Sequence, residues 1–298
     1  MSLSIFRERR FALGRFVGHL EWIPRGRGRF CFLLCHPEKN TDHEFTVEFF
    51  GSVYRGNLND FIDWNVFFIG AYSKYTLIFL RDLASRLGRQ GTIFVDLGAN
   101  VGQHSLFMSR YCEVVHSFEP FETVRKRIIQ KVTDNNLGNI EVHGVGLGSH
   151  SRKADFFAPT GVNKGTGSFL RFEGHPPKVN KLELSIVQGD EYFSTHQIKP
   201  VTILKMDVQG FEKEVLQGLR ATLDRDRPYI LMEFSGKARQ SIPDESSLRL
   251  LSYPDCRIYS LMEKRCGRRY YRLKEFRFDE PVRKIVISAE EKASFLPT

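Results

Sequence analysis

Asp96, Gly98, Gly102 and Glu119 have the types and spacing for nucleotide chemistry. Asp96 sits near the end of a short apolar run, the two glycines follow it, and Glu119 comes 21 residues after Gly98, at the end of a second apolar run. Acids at the carboxyl ends of buried strands face the crevice where an open α/β sheet holds its ligand. Gly98 permits a tight turn, and Gly102 lets a ligand come close to the start of a helix. A dinucleotide turn reads G-x-G-x-x-G and seats a pyrophosphate on the helix N-terminus. Here the spacing is Asp96-x-Gly98-x-x-x-Gly102, with Ser105 where a third glycine would stand. An acid two residues before the first glycine suits a cationic aminoacyl group, and a carboxylate at Glu119 suits a ribose diol. S-adenosylmethionine carries both groups. The competing explanation is that the two acids cap neighbouring helices.

Three residues could handle a proton beside such a ligand. Asp207 ends a later apolar run, across the crevice from the glycine turn, and is a candidate general base or anchor for an acceptor hydroxyl; it could equally cap the next helix. Lys205 projects to the same side of its strand. It could hold Asp207 ionised, polarise an acceptor, or pair with a neighbour. His104 lies in the first turn after Gly102, where the helix N-terminus disfavours its charged form. It is a candidate neutral base, or a packing or capping histidine. Glu212 and Glu233 are further candidates for the acceptor side.

The elements that must position these groups follow from apolar periodicity. Glu44–Leu58 reads as a β-hairpin, and 24–29 as a loop. Tyr72, Tyr75, Phe79, Leu83 and Leu87 mark a helix that stops at Gly88. Strands are expected at Thr92–Leu97, Val114–Phe118, Asn139–Leu147, Lys181–Val187, Val201–Asp207, Tyr229–Phe234, Cys256–Leu261 and Lys284–Ala289. Helices are expected at Gly102–Tyr111, through Phe121, Val124, Ile128 and Val132, through Phe211, Val215, Leu219 and Leu223, and near Ser246–Leu251. Strand, helix, strand with short connections argues a parallel, doubly wound sheet. A glycine-rich loop at Pro159–Gly167 interrupts the alternation and has the composition of a lid or a tolerated insertion. No internal repeat is visible.

At these motifs the chain resembles the FkbM-type S-adenosylmethionine-dependent methyltransferases. "VDLGANVGQHS" resembles the family's first motif, "SFEP" (Ser117–Pro120) its second, and "LKMDVQGFEKEVLQG" (Leu204–Gly218) its Lys-x-Asp-x-Glu-Gly-x-Glu segment. The likeness runs from about Phe45 to Ala289 and includes Asp190 and Glu233. It implies a class I methyltransferase fold: an α/β, Rossmann-like doubly wound sheet, mostly parallel with an antiparallel last strand, plus an N-terminal extension. Residues 1–65 form that extension with its hairpin, and 66–298 the cofactor-binding methyltransferase domain. It implies that S-adenosylmethionine is held by Asp96, Gly98, Asn100, Gly102, Glu119, Pro120, Gly146 and Leu147, with the adenine near the last two. It also implies O-methylation of a hydroxyl on a sugar, glycan or natural product. The chain departs from the family at Gln209, where an acid is usual, at Phe211, where a small residue is common, and at Gly70-Ala71-Tyr72-Ser73, where Gly-x-x-Glu is frequent.

Composition narrows the alternatives. With 41% hydrophobic and 27% charged residues the chain is ordinary globular material. No apolar run approaches the ~18 residues of a membrane span, and arginines interrupt the N-terminus, so a cytoplasmic protein is expected. Five cysteines fit reduced thiols, and Cys31 and Cys35 lack a second ligand pair, so no metal is expected. The net charge of +9 gathers in arginines among residues 7–29 and in lysines and arginines among 264–277. A basic surface attracts anionic partners. Besides an anionic acceptor, this keeps a nucleic-acid methyltransferase open, although no Asn-Pro-Pro-aromatic tetrad follows Met206. A catalytically silent cofactor binder is the other alternative, and oligomeric state is not legible.

Overall fold

Alternate side chains along the central strands divide between two apolar clusters. The computed structural model describes residues 3–20, 26–39, 43–159, 167–170, 181–198, 200–264 and 270–297. Its strands are β1 (Glu44–Phe49), β2 (Ser52–Asn57), β3 (Ile93–Leu97), β4 (Val114–Phe118), β5 (Ile140–His143), β6 (Gly146–Gly148) and β7 (Arg152–Phe157). They continue with β8 (Lys181–Gln188), β9 (Ile203–Met206), β10 (Tyr229–Glu233), β11 (Cys256–Glu263), β12 (Tyr271–Glu275) and β13 (Lys284–Ala289). An eight-stranded sheet runs in the order β12-β11-β13-β10-β9-β3-β4-β5. Phe94, Ile203, Tyr229 and Leu231 pack on one face, while Val95, Leu97, Leu204, Met206, Ile230 and Met232 pack on the other. This period of two with both faces covered belongs to the buried sheet of a doubly wound α/β fold.

β5, β4, β3, β9 and β10 are mutually parallel. β13 is antiparallel to β10 and β11, and β12 is antiparallel to β11. The antiparallel edge is thus more than a last strand, because Tyr271–Glu275 folds back on β11 as an outer strand that few buried apolar residues signal. The expected third strand, Asn139–Leu147, also divides. After His143 the chain leaves the central sheet, and β6 joins β8 and the unforeseen β7 in a separate three-stranded sheet. Glycines at 144 and 146 interrupt the β-formers and allow the departure. The helix expected through Phe211–Leu223 is two helices, Glu212–Gly218 and Arg220–Asp226. Gly218 packs against the Gly148 carbonyl so closely that a Cβ would lie 1.9 Å from it.

The segment before β3 packs against the first of these faces. Helices Leu3–Gly18 and Arg27–Leu34 precede the β1–β2 hairpin, so helix begins within the loop expected at 24–29, of which 24–25 lie outside the described residues. Phe11, Cys31, Cys35 and Phe45 share one apolar cluster with Phe79, Phe94 and Phe107. Burying each such phenylalanine contributes about 1.5–3 kcal/mol. Helix Phe61–Ile69 runs across position 65 and is capped by Asp60, whose carboxylate accepts from the Ile62 and Asp63 amides. Arg127, on helix Glu122–Asp134, pairs with both Asp60 and Asp63, and so ties this region to the sheet. Cys31, Cys112 and Cys256 are buried free thiols. Among the described residues no helix is long and apolar enough to cross a membrane. Arg25, Arg265, Arg268, Arg269 and most of the expected lid loop (160–166) lie outside the described residues.

Candidate functional site

β3 and β9 are neighbours where the strand order reverses, with β4 leading away on one side and β10 on the other. Their carboxyl ends flank an open crevice, the place where doubly wound sheets hold ligands. Gly98 leaves β3 at φ +71°, and a Cβ there would stand 2.0 Å from the Asp207 carbonyl oxygen. Glycine is therefore what lets the two strand ends meet. Asn100 (φ 54°) and Gly102 (φ 79°) continue the left-handed turn into helix Gln103–Met108.

Above this turn lies a cavity that, with its open mouth, encloses about 940 Å³ of space between atoms. Gly98, Asn100, His104, Glu119, Pro120, Gly146, Leu147, Lys205 and Asp207 line it. Gly102 and Asp96 stand behind the wall. Asp96 is fully buried: Ser105 Oγ donates to its Oδ2 at 2.7 Å, and Lys205 Nζ lies 2.9 Å from its Oδ1. Lys205 also donates to the Gly98 carbonyl at 2.9 Å. The cation beside Asp96 is thus a lysine of the chain, paired in charge with an Oδ1 that accepts no hydrogen bond among the described residues, and Asp96 sits beneath the turn, behind the cavity wall. Lys205 touches Asp96 and acts on Asp207 through its charge.

Glu119 does face the cavity. Its oxygens accept from the Asn100 and Phe121 amides, each at 3.0 Å. Burial pushes its pKa up to about 7, against the pull of those two amides. His104 is driven the other way, to about 3, by burial and then by the Lys205 charge, so it is a neutral imidazole. Its Nε2 and Asn100 Oδ1 are buried without a hydrogen-bond partner among the described residues. Near Gly146 and Leu147 the wall is aromatic: Phe169 has ring centroids 5.3 Å from Phe156 and 5.5 Å from Phe211.

On the opposite side two carboxyl groups interact. Burial alone would raise Asp207, but the Lys205 charge, a hydrogen bond from Glu233, the Lys284 charge and Gln209 together hold it below its ordinary value. Burial and then the Asp207 charge raise Glu233, so the pair's proton rests on Glu233. Gln209 Nε2 donates to Asp207 at 2.8 Å and to Glu233 at 3.4 Å. A third carboxylate at 209 would add repulsion here, whereas the amide bridges the pair. Lys237 Nζ donates to Gln209 Oε1 at 3.1 Å, and Lys284 Nζ to the Ser73 and Thr76 hydroxyls at 2.9 and 3.0 Å. Glu212 lies just beyond this wall, its pKa raised to about 7 by burial. Asp190 serves elsewhere, accepting from the Ala221 and Thr222 amides at the start of a helix.

Tyr72, from the Gly70–Ser73 segment that departs from the family, lines the cavity, as do Ile62 and Gln103, which motif spacing did not single out. Gln103 exchanges two hydrogen bonds with the Tyr72 backbone, at 2.7 and 3.0 Å, and so fastens the segment before Lys74 over the glycine turn.

Residues 96–270 match the family model described as the methyltransferase FkbM domain, which is more than half of the chain. The chain belongs to the FkbM methyltransferase family. One relative, the hexuronic acid methyltransferase AglP of Haloferax volcanii, is 27% identical over 128 residues, 43% of this chain and 50% of that protein. The match therefore spans about half of that relative's length. Among solved structures, the FkbM methyltransferase of Methylobacillus flagellatus KT covers 75% of this chain and 52% of its own, at 18% identity and a TM-score of 0.43. TYW2 of M. jannaschii, solved in complex with AdoMet, covers 84% and 86% at 10% identity and a TM-score of 0.40. The matched segment begins at Asp96 and takes in the glycine turn, Glu119 and the Asp207–Glu233 pair.

Proposed function

We propose that the chain is an S-adenosylmethionine-dependent O-methyltransferase whose acceptor is a sugar hydroxyl, on an acidic sugar or glycan. The carrying observation is the Asp207–Glu233 carboxyl pair on the cavity side opposite Glu119, at the end of the strand next to the glycine turn.

The wall fits the cofactor by its own chemistry. Glu119 offers carboxylate oxygens to a ribose diol. The unpartnered Asn100 Oδ1 and His104 Nε2 can each meet a polar ligand group, and the aromatic wall by Gly146 and Leu147 suits a flat base. When bound, S-adenosylmethionine supplies an electrophilic methyl group.

The chain's own task is to orient the acceptor and take its proton. A hydroxyl is almost entirely protonated at neutral pH. The doubly ionised Asp207–Glu233 pair takes up its first proton with a raised affinity, which matches a base to near-neutral chemistry better than Asp207 alone would. His104 is held neutral and can accept a hydrogen bond without competing for that proton. Lys237 and Lys284 place positive charge around the pair, which favours an anionic acceptor; the hexuronic acid relative supports the same class.

The test is S-adenosylhomocysteine release over a panel of uronic acids, their neutral parent sugars and RNA. Turnover with uronic acids above that with neutral sugars supports the proposal. Turnover on RNA alone, or none with any acceptor while the cofactor binds, contradicts it.

A further inference from the structure

A second cluster of ligating groups lies on the other side of Phe118 from the cavity, and nothing in the methyl-transfer chemistry uses it. In the parallel register of β4 and β5, His116 pairs with Glu141 and Phe118 with His143, so His116, Glu141 and His143 project from one face of the sheet. His116 Nδ1 lies 3.1 Å from His143 Nε2 and 3.4 Å from Glu141 Oε2. All three donor atoms fall within 4.8 Å of one another. Ligands on a tetrahedral zinc ion, with bonds of about 2.0–2.1 Å, stand roughly 3.3 Å apart. Both separations are close to that edge.

We propose that His116 Nδ1, His143 Nε2 and a Glu141 carboxylate oxygen form a three-ligand site for a divalent transition-metal ion, zinc foremost, with the fourth position open to water. Two imidazoles and one carboxylate are the donor set such ions favour over magnesium or calcium. The fourth position opens outward because Glu141 is solvent-exposed while both histidines are buried.

The surrounding residues hold the ligands for this use. His143 Nδ1 lies 3.1 Å from the Tyr192 hydroxyl, which fixes the ring and leaves Nε2 as the ligand atom. The His143 ring also stacks on Phe118, with centroids 4.3 Å apart and planes 14° from parallel. Without a metal, the 3.1 Å contact between His116 Nδ1 and His143 Nε2 holds one proton at most. A cation satisfies all three lone pairs together. Burial holds both histidines below their ordinary pKa and so in the neutral form that ligates. Because Phe118 lines the cofactor cavity, a bound ion would brace that wall from behind. The cluster is not legible as a sequence motif, because its members come from two strands and no close Cys/His pair announces it.

The test is zinc uptake by the full chain after chelator dialysis, measured at neutral pH by competition with a chromogenic chelator. Wild type is expected to take up one equivalent. His143→Ala should abolish that uptake, Glu141→Gln should weaken it at least about tenfold, and Tyr192→Phe should weaken it by about 10–100-fold as a lost supporting contact. Glu141 is exposed, so its variant separates lost ligation from lost folding. No uptake by wild type, or uptake in Glu141→Gln or His143→Ala unchanged from wild type, overturns the proposal. None of these readouts depends on methyl transfer or cofactor binding.

Discussion

Lys205 Nζ lies 2.9 Å from Asp96 Oδ1 and 2.9 Å from the Gly98 carbonyl oxygen, and so bridges β9 to β3 beneath the cavity. Both side chains are buried, and removing one member of a buried pair leaves the other charge without compensation. Lys205→Met is therefore expected to destabilise the fold by about 3–5 kcal/mol in urea unfolding. Adding Asp96→Asn should recover much of that loss, because it removes the orphaned charge. A single variant as stable as wild type would show that the bridge has no such role.

Gly98 and Gly88 separate backbone strain from collision. Both adopt positive φ, +71° and +85°, but a Cβ at Gly88 meets nothing within 4 Å, whereas one at Gly98 meets the Asp207 carbonyl at 2.0 Å. Gly88 has ψ 148°, a region that only glycine adopts readily, so Gly88→Ala should cost about 1–3 kcal/mol in backbone strain alone. Gly98→Ala should cost clearly more and also weaken cofactor binding, because the ends of β3 and β9 must separate. Equal losses in the two variants would contradict the close approach.

Much of this arrangement was legible in local sequence. The apolar runs ending near Asp96, Glu119, Asp207 and Glu233 are short and buried on both sides, and the glycine turn needs only neighbours in sequence. The Asp96–Lys205 partnership was hidden because it depends on β9 pairing with β3, a non-local choice that periodicity does not encode. β7 and β12 were missed for a different reason. As outer strands they bury few side chains, so their alternation is faint. The separate β6-β8-β7 sheet turns on glycines at 144 and 146, which resemble ordinary loop residues until their partners are known.

The carboxyl pair predicts a particular pH profile. The proton-accepting form has both groups ionised, so kcat/KM should rise with pH through the Glu233 ionisation, which burial and the Asp207 charge push up to about 8. Asp207→Asn should lower kcat by about 10²–10⁴-fold while leaving cofactor affinity much less affected. Glu233→Gln should remove the alkaline rise. A profile that is flat from pH 6 to 9 in wild type would exclude the pair as the base.

His104 predicts how the fold responds to acid. Its pKa is about 3 in the folded chain against an ordinary value of 6.5, so between these values the unfolded chain binds the extra proton. Its contribution to stability is complete above pH 6.5 and is lost progressively as pH falls below that value. From pH 7 to pH 5 this one group should account for about 2 kcal/mol of lost stability. Urea unfolding of wild type and His104→Gln at both pH values measures the difference. A variant whose stability falls as steeply as that of wild type would contradict the burial of a neutral imidazole here.

The central claim is that the crevice between Gly98, Glu119 and Asp207 receives S-adenosylmethionine, and calorimetric titration of the purified chain tests it most directly. Wild type is expected to bind S-adenosylmethionine and S-adenosylhomocysteine at one site, with Glu119→Ala weaker by about 10–100-fold for the loss of hydrogen bonds to a charged acceptor. Binding of a nicotinamide dinucleotide in their place, or S-adenosylmethionine affinity unchanged by Glu119→Ala, would contradict it.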